Sequence, residues 1–347
     1  MRLPSSLLLS VLSMLLPTSL RAAEEVPNFV AAPLPVALLA PEAKVTTAAR
    51  TSFLEGPAVD ASGTLYFSDL IGNRIYQMSP AGDLSVFRAD SGRSNGNTFD
   101  AEGRLVTCEG AEQGPGGRRR IVRTDMKTQQ VTVLTETYQG KRYNSPNDVC
   151  IDTAGRIYFT DPFYGEDRSK LEMDADAVYR IDPDRTVTRI LSQPQVERPN
   201  GIAVSPDSKT LYLIDSHPRP GGNRKIWAFD LSPGGVPSGQ RLVFDFGKGR
   251  GGDGLRLDLQ GNLWVAAGIL IPRTSGETTD VPAGVYVISP QGKLLGKISI
   301  PEDVITNVAF GGPGRSTLYV TAGKSIFKLP LAVEGYALYP PATTKQP

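Results

Sequence analysis

Five residues with oxygen-bearing side chains, Glu55, Asn95, Asn147, Asn200 and Asp253, each open a short phrase that runs into an alternating apolar stretch. The phrases are EGPAVDASGTLYFSD, NGNTFDAEGRLVTCE, NDVCIDTAGRIYFTD, NGIAVSPDSKTLYLID and DGLRLDLQGNLWVAA, and a further one, TNVAFGGPGRSTLYVTA, puts Thr306 at the leading position. The carboxylates of Glu55 and Asp253 and the amide oxygens of Asn147 and Asn200 make a hard donor set. Such a set suits a divalent cation that takes roughly six to eight oxygens, calcium foremost, with water or substrate completing the shell. The competing reading is that Asn-Gly and Asp-Gly are turn dipeptides entering a strand. That reading leaves Glu55 unexplained, since glutamate is a poor turn former and stands in register with the others. In the third phrase Asp148 replaces the glycine that follows the leading residue in Glu55-Gly56, Asn95-Gly96, Asn200-Gly201 and Asp253-Gly254. An added carboxylate there is costly unless a cation or proton neutralises it. Asp148 is therefore a candidate base or a further ligand, with a hydrogen-bonded structural aspartate as the competing reading.

The elements that must position these residues follow from the spacing. The six starts lie 40, 52, 53, 53 and 53 residues apart, and a period of this size in an all-strand chain indicates a propeller, whose blades repeat radially about a central channel. Leading residues of innermost strands then converge on the axis. Within each repeat, phrases such as Asp60-Ala61-Ser62-Gly63, Asp152-Thr153-Ala154-Gly155 and Asp258-Leu259-Gln260-Gly261 mark hairpins in which aspartate accepts from backbone amides. Third strands (RIYQMS, RIVRTD, AVYRID, KIWAFD, GVYVIS, SIFKLP) follow in every repeat, and fourth strands (LSVF, VTVL, VTRIL, RLVF) in most. The sixth repeat lacks a clear fourth strand, whereas the segment at residues 43–50 is strand-like and unpartnered. The expected fold is all-β, a six-bladed propeller over residues 43–331 that this N-terminal strand closes, removing an exposed sheet edge. Residues 332–347 are expected as a C-terminal tail, flexible over 336–347. The insertions at 110–117, 163–175, 217–223 and 270–282 are expected as loops, some of them roofing the channel mouth.

Composition narrows the chemistry further. The 347 residues carry 37 basic and 36 acidic side chains, a net charge of +1 that provides no field to concentrate nucleic acid or anionic lipid. His217 is the single histidine, which excludes three-histidine and H-E-x-x-H metal sites. It reads as a loop imidazole, with contact to substrate at the channel mouth the lesser alternative. Cys108 and Cys150 show no metal spacing and read as buried strand thiols, although pairing in an oxidising compartment is open. Residues 1–23 have the basic start, apolar run and small-residue end of a secretory signal peptide, and residues 24–42 read as a linker. The expected location is periplasmic or secreted, with no membrane association after cleavage.

The phrases FLEGPAVDASGTLYFSD, SNGNTFDAEGRLVTCE, NSPNDVCIDTAGRIYFTDPFYG and RPNGIAVSPDSKTLYLID resemble the regucalcin/gluconolactonase family of six-bladed propellers, related more distantly to diisopropylfluorophosphatase. The resemblance spans nearly all of residues 44–331. It implies one catalytic divalent cation on the axis, held by Glu55, Asn200 and Asp253 with Asn147 as a fourth ligand or close neighbour. It also implies hydrolysis of a small-molecule sugar lactone or related cyclic ester, with Asp253 or Asp148 as general base and Asn95, Asn147 and Asp161 near the substrate. Ser145 stands where some sugar-lactone members carry an arginine, so the arginine fork for sugar oxygens is missing at that position. Two alternatives remain at this level: hydrolysis of another ester or a phosphotriester at the same site, and a non-catalytic propeller that binds a ligand or protein.

Overall fold

Alternating apolar residues and Asp-x-x-Gly turns give this chain hairpins in succession, and in the computed structural model they stack radially as six four-stranded antiparallel sheets. The structure describes residues 46–50, 52–110, 117–165, 167–272 and 277–340; the expected signal peptide and linker lie outside them. The innermost strands are Leu54–Val59, Ser94–Phe99, Val149–Ile151, Pro199–Val204, Gly252–Leu257 and Ile305–Gly311, heading blades 1 to 6 in order. Each is followed outward by its second, third and fourth strands, as in blade 1, where Leu65–Asp69, Arg74–Met78 and Leu84–Ala89 succeed one another. Blade 5 also has its fourth strand, Leu294–Ser299. Helix among the described residues is limited to two three-residue turns, Arg168–Lys170 and Pro313–Arg315.

The ring closes through the N-terminal strand. Thr46–Arg50 pairs antiparallel with Ser325–Pro330, Thr46 opposite Lys328 and Arg50 opposite Ser325, and so supplies the fourth strand of blade 6. Buried apolar residues form clusters between neighbouring blades, one uniting Trp264, Val285 and Ile298 of blade 5 with Val308, Leu318 and Phe327 of blade 6. The hairpin aspartates act as expected. Asp152 accepts the amides of Ala154 and Arg156, the Arg156 guanidinium and the Tyr158 hydroxyl. Asp258 repeats the pattern with the amides of Gln260 and Asn262 and the Trp264 indole.

The C-terminal segment departs from expectation. Residues 332–340 are packed across the lower face of the ring rather than free. The Tyr336 amide donates to Leu257 O at 2.8 Å, and Arg315 Nη1 donates to Ala337 O and Pro340 O at 3.0 and 2.9 Å. Tyr336, Leu338 and Tyr339 supply the driving force, because each lays an apolar ring or side chain against a different inter-blade cluster. Residues 341–347 of the expected tail lie outside the described residues, and contacts of 336–340 with distant blades leave no local pattern in the sequence.

Candidate active site

The leading residues sit on β-bulges, not in turns. In blade 1, register passes from Glu55 opposite Ser68 to Ala58 opposite Tyr66, three residues against two. The same shift falls between Ser94 and Asn97, Pro199 and Ile202, and Gly252 and Leu255. A bulge bends the strand and re-aims a side chain, and here it brings Glu55, Asn95, Asn200 and Asp253 to one axial cavity. Asn147 joins them from just ahead of the shorter blade 3 strand, held by its amide to Thr160 O at 2.9 Å. The glycine after the leading residue is required by crowding. At Gly56, with φ of +49°, a Cβ would stand 2.1 Å from Asn95 O, and at Gly254 one would stand 2.1 Å from the Asn307 side chain.

The cavity, of about 260 Å³, is lined by all five predicted leading residues together with Tyr164, Ser216, Arg224, Arg250 and Glu277. Tyr164, Pro218 and Glu277 come from three of the anticipated loops, so those loops do wall the mouth. A second axial cavity of about 90 Å³ lies below, lined by Asn97, Cys150, Arg256, Tyr336 and Tyr339 among others. Residues at the second position, Gly56, Gly96, Asp148, Gly201, Gly254 and Asn307, line neither cavity and lie between the two.

The electrostatics of the upper cavity call for a cation. Glu55 is buried, and its carboxyl is pushed well above the usual range first by burial and then by the charge of Asp253. Asp253 is also raised by burial, against the opposing pull of Arg250, whose Nη2 lies 2.5 Å from Asp253 Oδ2. Asn200 hydrogen-bonds to Asp253, and the buried Asn95 Oδ1 has no hydrogen-bond partner. Two buried carboxylates, both raised by burial and one raised further by the charge of the other, beside an orphaned amide oxygen, fit a hard divalent ion. Among the described residues no three His, Cys, Asp or Glu side chains converge, so the donor set depends on the amides.

Other predicted residues are placed differently. Asp148 lies below the upper cavity, buried, with Arg256 Nη1 3.3 Å from its Oδ2 and the Val149 amide 2.9 Å from its Oδ1. Asp161 is fully buried and does not line the cavity. Its oxygens accept the amides of Asn144 and Ser145 at 2.8 and 2.7 Å, and burial pushes its pKa up to about 7. It braces the chain entering blade 3, as Asp215 does at Glu197 and Arg198 in blade 4. Thr306 turns its hydroxyl to Leu54 O and Thr321. His217 stands beside the mouth, between lining residues Ser216 and Pro218, and its imidazole is pushed down to about 4 by burial and then by Arg198. Cys108 and Cys150 are both free thiols. Arg224, Arg250, Tyr164, Ser216 and Glu277 were missed because they stand outside the repeated phrases. The Arg-Gly-Gly run just before Asp253 was the one available signal.

Residues 53–324 match the SMP-30/Gluconolactonase/LRE-like region. The chain belongs to this family. It is 32% identical to a gluconolactonase from Zymomonas mobilis over 301 residues, covering 79% of this chain and 77% of that one. It is 29% identical to rabbit (Oryctolagus cuniculus) regucalcin over 274 residues, covering 76% and 81%. Among solved structures, a gluconolactonase from Xanthomonas campestris superposes with a TM-score of 0.70 at 31% identity, covering 87% of this chain and 99% of that one. Membership in this family agrees with the six-bladed ring.

Proposed function

We infer that the protein is a lactone hydrolase that acts on a sugar lactone or closely related cyclic ester with the help of a calcium ion. The observation that carries this reading is the meeting of Glu55, Asp253, Asn200, Asn147 and Asn95 at one buried cavity in a chain of the gluconolactonase family. Glu55, Asn200 and Asp253 would hold the cation, with Asn147 ligating or adjacent. When bound, the ion supplies Lewis-acid polarisation of the ester carbonyl and stabilises the charge that develops on its oxygen.

The remaining steps fall to the chain's own groups. Asp253 is favoured over Asp148 as the base that takes a proton from the attacking water, since it lines the cavity and Asp148 does not. Asn95 presents an unsatisfied amide oxygen to a substrate hydroxyl or to the cation. Asn147 Nδ2 donates to the Tyr164 hydroxyl at 3.4 Å, tying the loop between the second and third strands of blade 3 to the ligand set. Export to the periplasm or exterior, read from residues 1–23, belongs to the same proposal. The test is hydrolysis of a panel of lactones and simple esters with calcium added or chelated. Calcium-dependent turnover confined to lactones supports the reading, and a protein inert toward all of them overturns it.

A further inference from the structure

Two guanidinium groups share the upper cavity with its carboxylates. Arg250 stands three residues ahead of Asp253, on the loop entering blade 5. Its Nη1 donates to Ile305 O at 3.1 Å and Gly268 O at 3.4 Å, and its Nη2 reaches Asp253 Oδ2 at 2.5 Å. Arg224, which begins the third strand of blade 4, is buried and donates Nε to Gly249 O at 3.1 Å, bracing the loop that carries Arg250. Backbone carbonyls thus hold both groups at the cavity wall.

The formal charges of the lining leave a remainder. Glu55, Asp253 and Glu277 contribute three negative charges and Arg224 and Arg250 two positive ones, so the lining alone carries one negative charge. Asp148 and Arg256 beneath it pair and cancel. With a divalent cation on Glu55 and Asp253 the balance becomes one positive charge in a buried space, which an anionic substrate neutralises most directly. With Nη1 committed to the two carbonyls and one Nη2 hydrogen to Asp253, Arg250 keeps Nε and the second Nη2 hydrogen for another carboxylate. A planar guanidinium is suited to such a group because it donates two parallel hydrogen bonds.

We propose that the substrate is a sugar lactone bearing a carboxylate, and that Arg250 is the residue that selects it. This rests on the lactonase reading and sharpens it. The experiment compares gluconolactone with glucarolactone, which differ in a terminal hydroxymethyl or carboxylate group, on the calcium-loaded protein. The wild type should favour the carboxylate form in kcat/KM by about ten- to hundredfold, the range of a charge-assisted hydrogen bond, and rising salt should erode that preference through KM. Arg250→Gln should bring the ratio near one, and Arg250→Lys should restore part of it. Thermal melting and calcium titration show whether the variant still assembles. If it does not, competition in the wild type decides, with glucarate expected to bind more tightly than gluconate by calorimetry. Equal turnover of both lactones, tighter binding of gluconate, or a preference that survives in a folded Arg250→Gln protein overturns the proposal. Failure to hydrolyse either lactone instead refutes the lactonase reading, while the calorimetric comparison still tests the cavity's choice of anion.

Discussion

Replacing Glu55 by glutamine tests the site through two effects of opposite sign. The Glu55 Oε2 atom accepts the Gly56 amide at 2.9 Å and lies 3.4 Å from Asn307 Nδ2, and glutamine can keep a carbonyl oxygen in that place. What is lost is one of two anionic ligands. Unit charges 4 Å apart interact by about 4 kcal/mol at an effective dielectric near 20, and a divalent ion doubles that term. Most is cancelled by the water the ion sheds and by the neutral oxygen that remains, so a net loss on the order of 3 kcal/mol, or more than a hundredfold in calcium affinity, is expected. Without calcium the change should stabilise the protein. The Glu55 carboxyl is raised in the folded state by burial and Asp253, so its favourable contribution is present below the ordinary carboxylate range and disappears as pH rises through the raised value. The amide carries no such dependence. The calcium-free variant should therefore melt above the wild type near neutral pH, with the gap closing toward about pH 4. Calorimetric calcium titration and melting curves at several pH values check both halves. Unchanged calcium affinity would refute the ligand assignment, and a calcium-free variant less stable than the wild type would refute the account of the buried charge.

The remaining expectations concern neighbouring parts of the channel. Asp253→Asn should lower turnover by about 10²–10⁴ and weaken calcium binding, whereas Asp148→Asn should leave calcium affinity near that of the wild type; lactonase kinetics and calcium titration of both variants separate the two carboxylates. Removing Arg256 alone, as Arg256→Met, should cost about 3–5 kcal/mol because it strands the buried Asp148, and adding Asp148→Asn should recover part of that loss in denaturant titration. Gly56→Ala should destabilise by at least about 2 kcal/mol and weaken calcium binding, because the new Cβ meets Asn95 O in a left-handed backbone; a variant with native melting and affinity would contradict the crowding argument.

The sequence by itself determined the architecture of this protein. Its period near 53 residues, the aspartate-led hairpins and the orphan strand before Glu55 predict six blades and their closure, because strand alternation and turn chemistry are local properties written in adjacent residues. It also determined the leading residues of the site, since each occupies the same place in a repeated phrase. Tertiary structure alone decided which carboxylates face the cavity. Asp148 and Asp161 look as exposed to substrate in the sequence as Asp253 does, yet Arg256, 108 residues away, engages the first, and the Asn144 and Ser145 amides occupy the second. The same holds for Arg224, Arg250 and Glu277 on the cavity wall and for the Tyr336–Tyr339 segment across the lower mouth. Arg250 meets Ile305 of blade 6 and the C-terminal segment meets several blades, and contacts made only when a ring closes leave no periodic trace along the chain.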